Sequence, residues 1–344
     1  MTHGAVGCYR HAMNPHAAIV GIAGIALTDA EAALLRKYPP AGVILFARNI
    51  ADPDAMRLLV AALRRALPAD AVLMVDQEGG RVARLAPPHW RAHPPAAAHG
   101  ALFAANPAAG LRAAWLTGAL IGLDCAGAGF DVVTAPVLDL RLPGAHGVIG
   151  DRAFAAEPQA VAALGRAMAE GLLAAGVQPV GKHVPGHGRA RVDSHLHLPV
   201  VTDPDLQADW LPFAANAGLP WMMTAHVCYP ALDPDAPATL SARILGGVVR
   251  RRIGFGGVLV SDDLGMQALA GTPAARALAA LAAGCDVALY CSGELAPTAD
   301  LLVRCPALSE AAMARLAAAR ALAASRRTVL EEGALANERD RLLT

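Results

Sequence analysis

The 344-residue sequence has no surplus of charge of either sign: Lys and Arg together number 29, and so do Asp and Glu. Nucleic acid and anionic membrane surfaces both select a basic excess, so neither is expected as a partner. Paired cysteines are missing too. Cys8, Cys125, Cys228, Cys285, Cys291 and Cys305 are scattered, and none stands in the C-x-x-C spacing of a zinc site or redox motif. Four lie in apolar runs, where a free cysteine behaves as a small hydrophobe. The set reads as reduced, which fits a cytoplasmic protein. No apolar run reaches the length of a membrane span. The run from Ala17 to Leu27 has too little basic charge ahead of it for a secretion signal. Ala5-Val6-Gly7-Cys8 is not preceded by the hydrophobic segment a lipoprotein cleavage box requires. The run reads better as a first strand, followed by a helix starting at Thr28-Asp29-Ala30-Glu31. Met13 is an alternative start. No Ser- or Pro-rich linker and no shift in composition marks a second domain.

What is present is apolar. Hydrophobic residues make up 55% of the chain and charged residues 17%, enough for an extensive core. Apolar runs bounded by Gly, Pro or Asp predict strands at Ala18–Ala23, Gly42–Phe46, Ala71–Val75, Asp131–Ala135, Val177–Val180, Trp221–Ala225, Gly257–Val260 and Asp286–Tyr290. Between them, Asp52–Ala66, Pro158–Ala175, Thr239–Arg252 and Pro273–Ala283 read as helices. Near-continuous apolar strands imply burial on both faces, as in a parallel sheet. Eight such strands alternating with helices predict an α/β fold, a single (β/α)8 TIM-type barrel with its site at the C-terminal strand ends. One domain over 1–344 is expected, its core about 17–325, with a flexible N-terminal extension. The charged tail from Arg326 reads as a final helix with a frayed end. Pro87–Pro95 reads as a loop over the barrel mouth.

Polar residues gather where such a barrel would use them. Strand three runs into Asp76-Gln77-Glu78-Gly79-Gly80-Arg81, and strand five into Lys182-His183-Val184-Pro185-Gly186-His187-Gly188. Thr224-Ala225-His226 ends strand six, and Ser261-Asp262-Asp263 ends strand seven. On a regular strand only one of Asp262 and Asp263 faces the axis. One could simply cap the next helix; the functional alternative is a carboxylate nucleophile held by its neighbour. The long Gly- and Pro-containing stretch after strand five leads to Asp193 and His195. A carboxylate two residues from a histidine can fix its tautomer and free the other ring nitrogen for proton transfer. The blander reading, a surface loop that happens to hold histidines, has weight in a chain with 12 of them.

Taken jointly, Lys182-His183-x-Pro185-Gly186-His187-Gly188, Asp193-Ser194-His195 and Ser261-Asp262-Asp263-Leu264-x-Met266 resemble the bacterial β-N-acetylglucosaminidases of glycoside hydrolase family three. Asp76-x-Glu78-Gly79-Gly80-Arg81-Val82 and the stretch from Thr224 to Asp233 are similar to that family as well, and the likeness runs from about Ala18 to Val303. It implies Asp262 as nucleophile, His195 as acid/base and Asp193 as its partner. It also implies that Asp76, Arg84, Arg152, Lys182 and His183 bind the N-acetylglucosamine ring. Val184 departs from the Phe of many members, and Cys291-Ser292-Gly293-Glu294 replaces an Asn-rich segment.

The reaction so implied is retaining hydrolysis of terminal β-linked N-acetylglucosamine, with 1,6-anhydro-muropeptides of peptidoglycan recycling as substrate. A monomer without cofactor or metal is expected. The nearest alternative is a phosphorylase on the same scaffold, since a histidine acid/base leaves room for an anionic acceptor. His195-Leu196-His197 also has the form of a metal ligand pair, so a metal-dependent barrel hydrolase is a further alternative. A Schiff base at Lys182 and a catalytically dead sugar-binding protein complete the set. His187 and His226 read equally well as structural histidines.

Overall fold

The computed structural model describes residues 14–194 and 196–344. Cys8, Met13 and His195 lie outside the described residues. Among those described, eight parallel strands close into a barrel, each hydrogen-bonded to its neighbours in sequence and the last to the first. They are β1 (His16–Gly21), β2 (Pro40–Leu45), β3 (Val72–Val75), β4 (Val132–Val133), β5 (Gln178–Val184), β6 (Trp221–Thr224), β7 (Val258–Asp263) and β8 (Val287–Tyr290). All eight expected strands are there.

Alternation along the strands sorts the apolar residues into two cores. Ile19, Ile44, Met74, Val180, Met223, Val260 and Leu289 meet inside the barrel. Leu308, Ala312 and Leu316 join that inner core, and the Leu308 N–H donates to the Pro15 carbonyl beside the start of β1, at 2.7 Å. This segment therefore plugs the N-terminal end. Val20, Val43, Leu73, Val133, Met222, Leu259 and Ala288 point outward into the helical layer.

Sequence chemistry sets the helix ends. In α1 (Asp29–Lys37), Thr28 and Glu31 form a reciprocal capping box. In α2 (Pro53–Ala66), the Asp52 carboxylate accepts the N–H groups of Asp54 and Ala55. The expected helix at Pro273–Ala283 is capped by Thr272 and ends at Gly284, whose φ is +118°. The segment expected as a helix from Thr239 is more irregular. A single turn at Ala238–Leu240 precedes Ala242–Ile244, which continues as a wide, π-type turn through Leu245–Arg252.

Between β3 and β4 the chain adds α3 (Ala96–Ala105) and α4 (Pro107–Gly127). Helix α4 packs closely on α5 (Pro158–Ala174) through glycines. A Cβ on Gly118 would lie 2.1 Å from the Met168 carbonyl oxygen, and one on Gly171 equally close to that of Trp115. The charged tail forms a helix, Glu332–Leu343, that docks on α4: Leu335 joins Leu116 and Leu120, and Arg112 holds Glu338 through two bonds of 2.7 Å. The segment Pro87–Pro95, expected as a loop over the barrel mouth, contributes no residue to the lining of the cavity there. It is clamped sideways, with His93 Nε2 2.8 Å from Asp124 and the His93 carbonyl accepting the Gly80 N–H.

Cys125, Cys228, Cys285, Cys291 and Cys305 are free thiols. Among the described residues no helix is long and apolar enough to cross a membrane.

Candidate active site

The C-terminal strand ends surround a cavity of about 480 Å³. Asp76, Arg84, Arg152, Lys182, His183, Asp193 and Asp262 all line it, so the expected site residues are brought together from β3, the loop after β4, β5 and β7. The exception is His195, outside the described residues.

One wall is a network of charges rooted in a short hairpin. Directly after β3, Gln77–Gly79 pairs antiparallel with Val82–Ala83. The Gln77 amide oxygen accepts the N–H groups of Arg84 and Leu85, bracing the turn from inside. Gly79 and Gly80 turn it with φ of +98° and +55°, a region that favours glycine. Asp76 then accepts from Arg84 Nη2 at 3.1 Å, from Lys182 Nζ at 3.3 Å and from the Thr134 hydroxyl. Lys182 Nζ also reaches Thr134 Oγ1 at 2.9 Å and Glu78 Oε1 at 2.6 Å. Arg152 completes the wall with two parallel bonds to Glu78. Burial alone raises the carboxyls of Asp76 and Glu78, but the neighbouring cations outweigh it and hold both below the ordinary range. Lys182 is thus spoken for by two carboxylates and a hydroxyl, contacts that a Schiff-base nucleophile would have to give up.

The facing wall is β7. Asp262 and Asp263 both border the cavity, against the expectation from strict alternation. The ladder between β7 and β8 shifts register just there, between Val287 and Leu289, which re-aims the strand end. The two acids are held differently. Asp263 Oδ1 accepts the N–H groups of Gly265 and Cys291, so it ties a turn rather than capping a helix. Asp262 Oδ1 accepts the Asp263 N–H at 2.8 Å, and its carboxylate borders the cavity. Burial raises Asp262, yet the rings of His183 and His226 more than offset that and lower it; Asp263 is raised by burial. Adjacent carboxyls are therefore pushed apart, the lower one poised as the anion.

Lys182 and His183 are consecutive yet both face the cavity, where the pairing of β5 with β6 also shifts register. The peptide bond between them is cis. Three histidines stand at or near this wall. His183 lines the cavity. His187 lines it too, with Nε2 3.0 Å from Ser194 Oγ and its pKa pushed down to about 4, mainly by burial. His226 stands behind, bonded to Thr239 Oγ1 and the Asp263 carbonyl.

The stretch Pro185-Gly186-His187-Gly188 is packed tightly against its neighbours. The Tyr229 hydroxyl donates to the Gly186 carbonyl, and Asp139 accepts the His187 N–H. A Cβ on Gly188 would lie 2.3 Å from the Leu140 carbonyl oxygen. These glycines permit close packing.

In the sequence Glu78 and Arg81 stand in the strand-three motif without an expected role, and Thr134 and Asp139 were not anticipated. Arg81 holds Asp151 and the carbonyls of Gly147 and Val148, fixing the rim beside Arg152. The available signal was the end of strand four, Thr134 through Asp139, a polar strand ending left unread. Among the described residues no group of three or more His, Cys, Asp or Glu is arranged to hold a metal ion.

A closed parallel barrel that sets an ionised acid against a wall of charged hydrogen-bonding groups at its C-terminal strand ends is an arrangement a glycoside hydrolase can use. Residues 16–324 match the glycosyl hydrolase family 3 N terminal domain. The beta-hexosaminidase of Bordetella pertussis is 40% identical over 289 residues, covering 82% of each chain. The structure of NagZ from Neisseria gonorrhoeae in complex with N-trifluoroacetyl-D-glucosamine is similar with a TM-score of 0.77 and 33% identity, over 92% of this chain and 99% of that one. That of a beta-N-acetylhexosaminidase from Beutenbergia cavernae reaches a TM-score of 0.73 at 31% identity, over 90% and 94%. The chain belongs to glycosyl hydrolase family 3, as an enzyme of its beta-hexosaminidase type.

Proposed function

We propose that the enzyme removes terminal β-linked N-acetylglucosamine with retention, from 1,6-anhydro-muropeptides released during peptidoglycan recycling. The observation that carries this reading is the pairing of Asp262, held as an anion at the cavity edge, with Asp76, Arg84, Arg152, Lys182 and His183 around the same space. In the first step an Asp262 oxygen bonds to the anomeric carbon. The glycosidic C–O bond breaks, and its oxygen takes a proton from His195 as imidazolium. In the second, neutral His195 takes a proton from water, the oxygen of which displaces Asp262 and releases the sugar. Asp193 orients His195. The whole chain works as one catalytic barrel domain, a monomer in the cytoplasm, without metal or cofactor.

A panel of aryl β-glycosides set against muropeptide disaccharides, each with and without phosphate, tests the reading. Release of free N-acetylglucosamine at a phosphate-independent rate is expected. A sugar 1-phosphate product would instead establish the phosphorylase, and zinc-restored activity after chelation would establish a metal-dependent hydrolase.

A further inference from the structure

We infer that Asp139 is the positioning residue of this site, setting both the tautomer of His183 and the seat of the loop that leads to Asp193. It lies beyond β4, fully buried, and is not among the residues lining the cavity. It therefore acts through others.

Its two oxygens are divided. Oδ2 sits 2.7 Å from His183 Nδ1, while Oδ1 accepts the His187 backbone N–H at 2.6 Å. Both oxygens also lie 3.3 Å from the His183 N–H. Burial raises this carboxyl, but the adjacent histidines and the His187 N–H outweigh it, so Asp139 is an anion. An ionised carboxylate only accepts. The proton on the His183 ring must then sit on Nδ1, and Nε2 is the nitrogen presented to the cavity. A ring so held keeps Nδ1 as the donor to Asp139 and turns Nε2 toward the sugar.

The second contact reaches the catalytic loop. Holding the His187 N–H places the backbone from which its ring meets Ser194, and Ser194 is the direct neighbour of Asp193. One buried carboxylate thus sets a sugar-facing nitrogen and the loop carrying the proton-transfer pair. The same division of labour, an acid orienting a histidine it never replaces, recurs in hydrolases of unrelated fold.

This inference rests on the cavity being the N-acetylglucosamine site, and wild-type turnover of an aryl β-N-acetylglucosaminide tests that separately. The experiment on Asp139 is Asp139→Asn, read in two ways. With the amide oxygen kept on the His187 N–H, the amide NH2 faces His183 Nδ1 and forces the proton to Nε2. Ring ¹⁵N spectra of histidine-labelled protein without substrate, with His183 assigned by comparison with His183→Gln, should show Nδ1–H in the wild type and Nε2–H in the variant. The value of kcat/KM should fall about a hundredfold, the scale of a misplaced contact near the reacting atoms. In a His183→Gln background the same change should cost clearly less, because the two act together. A wild-type ring protonated only on Nε2 would overturn the inference even if Asp139→Asn failed to fold. So would full additivity of the two substitutions.

Discussion

Arg152 grips Glu78 through Nε and Nη2, each 2.8 Å from a carboxylate oxygen, while Glu78 in turn holds Lys182. Fork-to-fork geometry fixes a guanidinium in plane and direction as a single bond cannot. Glu78 is nearly buried, so its charge is balanced by these two cations rather than by water.

Glu78→Gln is accordingly expected to leave the fold intact but to set an amide NH2 against Arg152 or Lys182. With two of the proposed sugar contacts released together, kcat/KM should drop by about 10- to 100-fold. Steady-state kinetics with circular dichroism as a folding control measures this. An unchanged kcat/KM would mean that the position of Arg152 is set elsewhere.

Asp262→Asn should nearly abolish turnover without unfolding the chain, since an amide cannot form the glycosyl ester. A slow fluorinated N-acetylglucosaminide should label a peptide of the wild type at Asp262. Asp263, spent on two backbone N–H groups, should stay unlabelled, and a label there would reverse the assignment.

His195→Ala should cost roughly a hundred- to ten-thousand-fold on substrates whose leaving group needs a proton. Aryl glycosides with acidic leaving groups should lose less in the first step and then accumulate the covalent intermediate, with azide restoring turnover. Asp193→Ala should show a milder form. If neither change slows poor leaving groups, the acid lies elsewhere.

Stability should decline as pH falls from about 6.5 toward 4. Burial lowers the pKa of His99 from 6.5 to about 4, and that of His187 likewise. In this window the unfolded chain takes up protons that the folded chain refuses, so each histidine favours folding above 6.5 and that contribution is lost by pH 4. His99 lies away from the cavity, bonded to Thr117 Oγ1 at 2.8 Å, which makes His99→Gln a clean probe. Urea midpoints at pH 7, 5.5 and 4 should fall less steeply in that variant; an identical slope would remove His99 as a source.

The strands were legible because each is apolar on both faces, and a strand buried in a barrel has to be. The cluster that lines the cavity was legible because charged residues stand directly at the ends of those strands, as Asp76 and Asp262 do. Asp139 escaped because β4 pairs over only Val132 and Val133, and the residue itself comes after Pro136, beyond any strand signal. Helices α3 and α4 escaped for another reason: with Gly110, Gly118 and Gly122 buried among alanines and leucines, α4 has no polar face to show a period. Glycine itself was ambiguous. In Gly186 and Gly188 the same letter serves freedom or contact, and only the neighbours, Asp209 and Leu140, decide for contact.

Thr134, Asp76, Lys182, Glu78 and Arg152 form one unbroken run of contacts. Their rotamers are chosen before any sugar arrives, so little conformational entropy is left for binding to remove. The cost of that economy is intolerance. A stiff wall cannot close around a ring that lacks a hydroxyl it was set to meet, so deoxy analogues should lose affinity by leaving charges unmatched and not merely by losing a contact. Selectivity among hexosamines would then reside in the stiffness of this wall as much as in any one of its atoms.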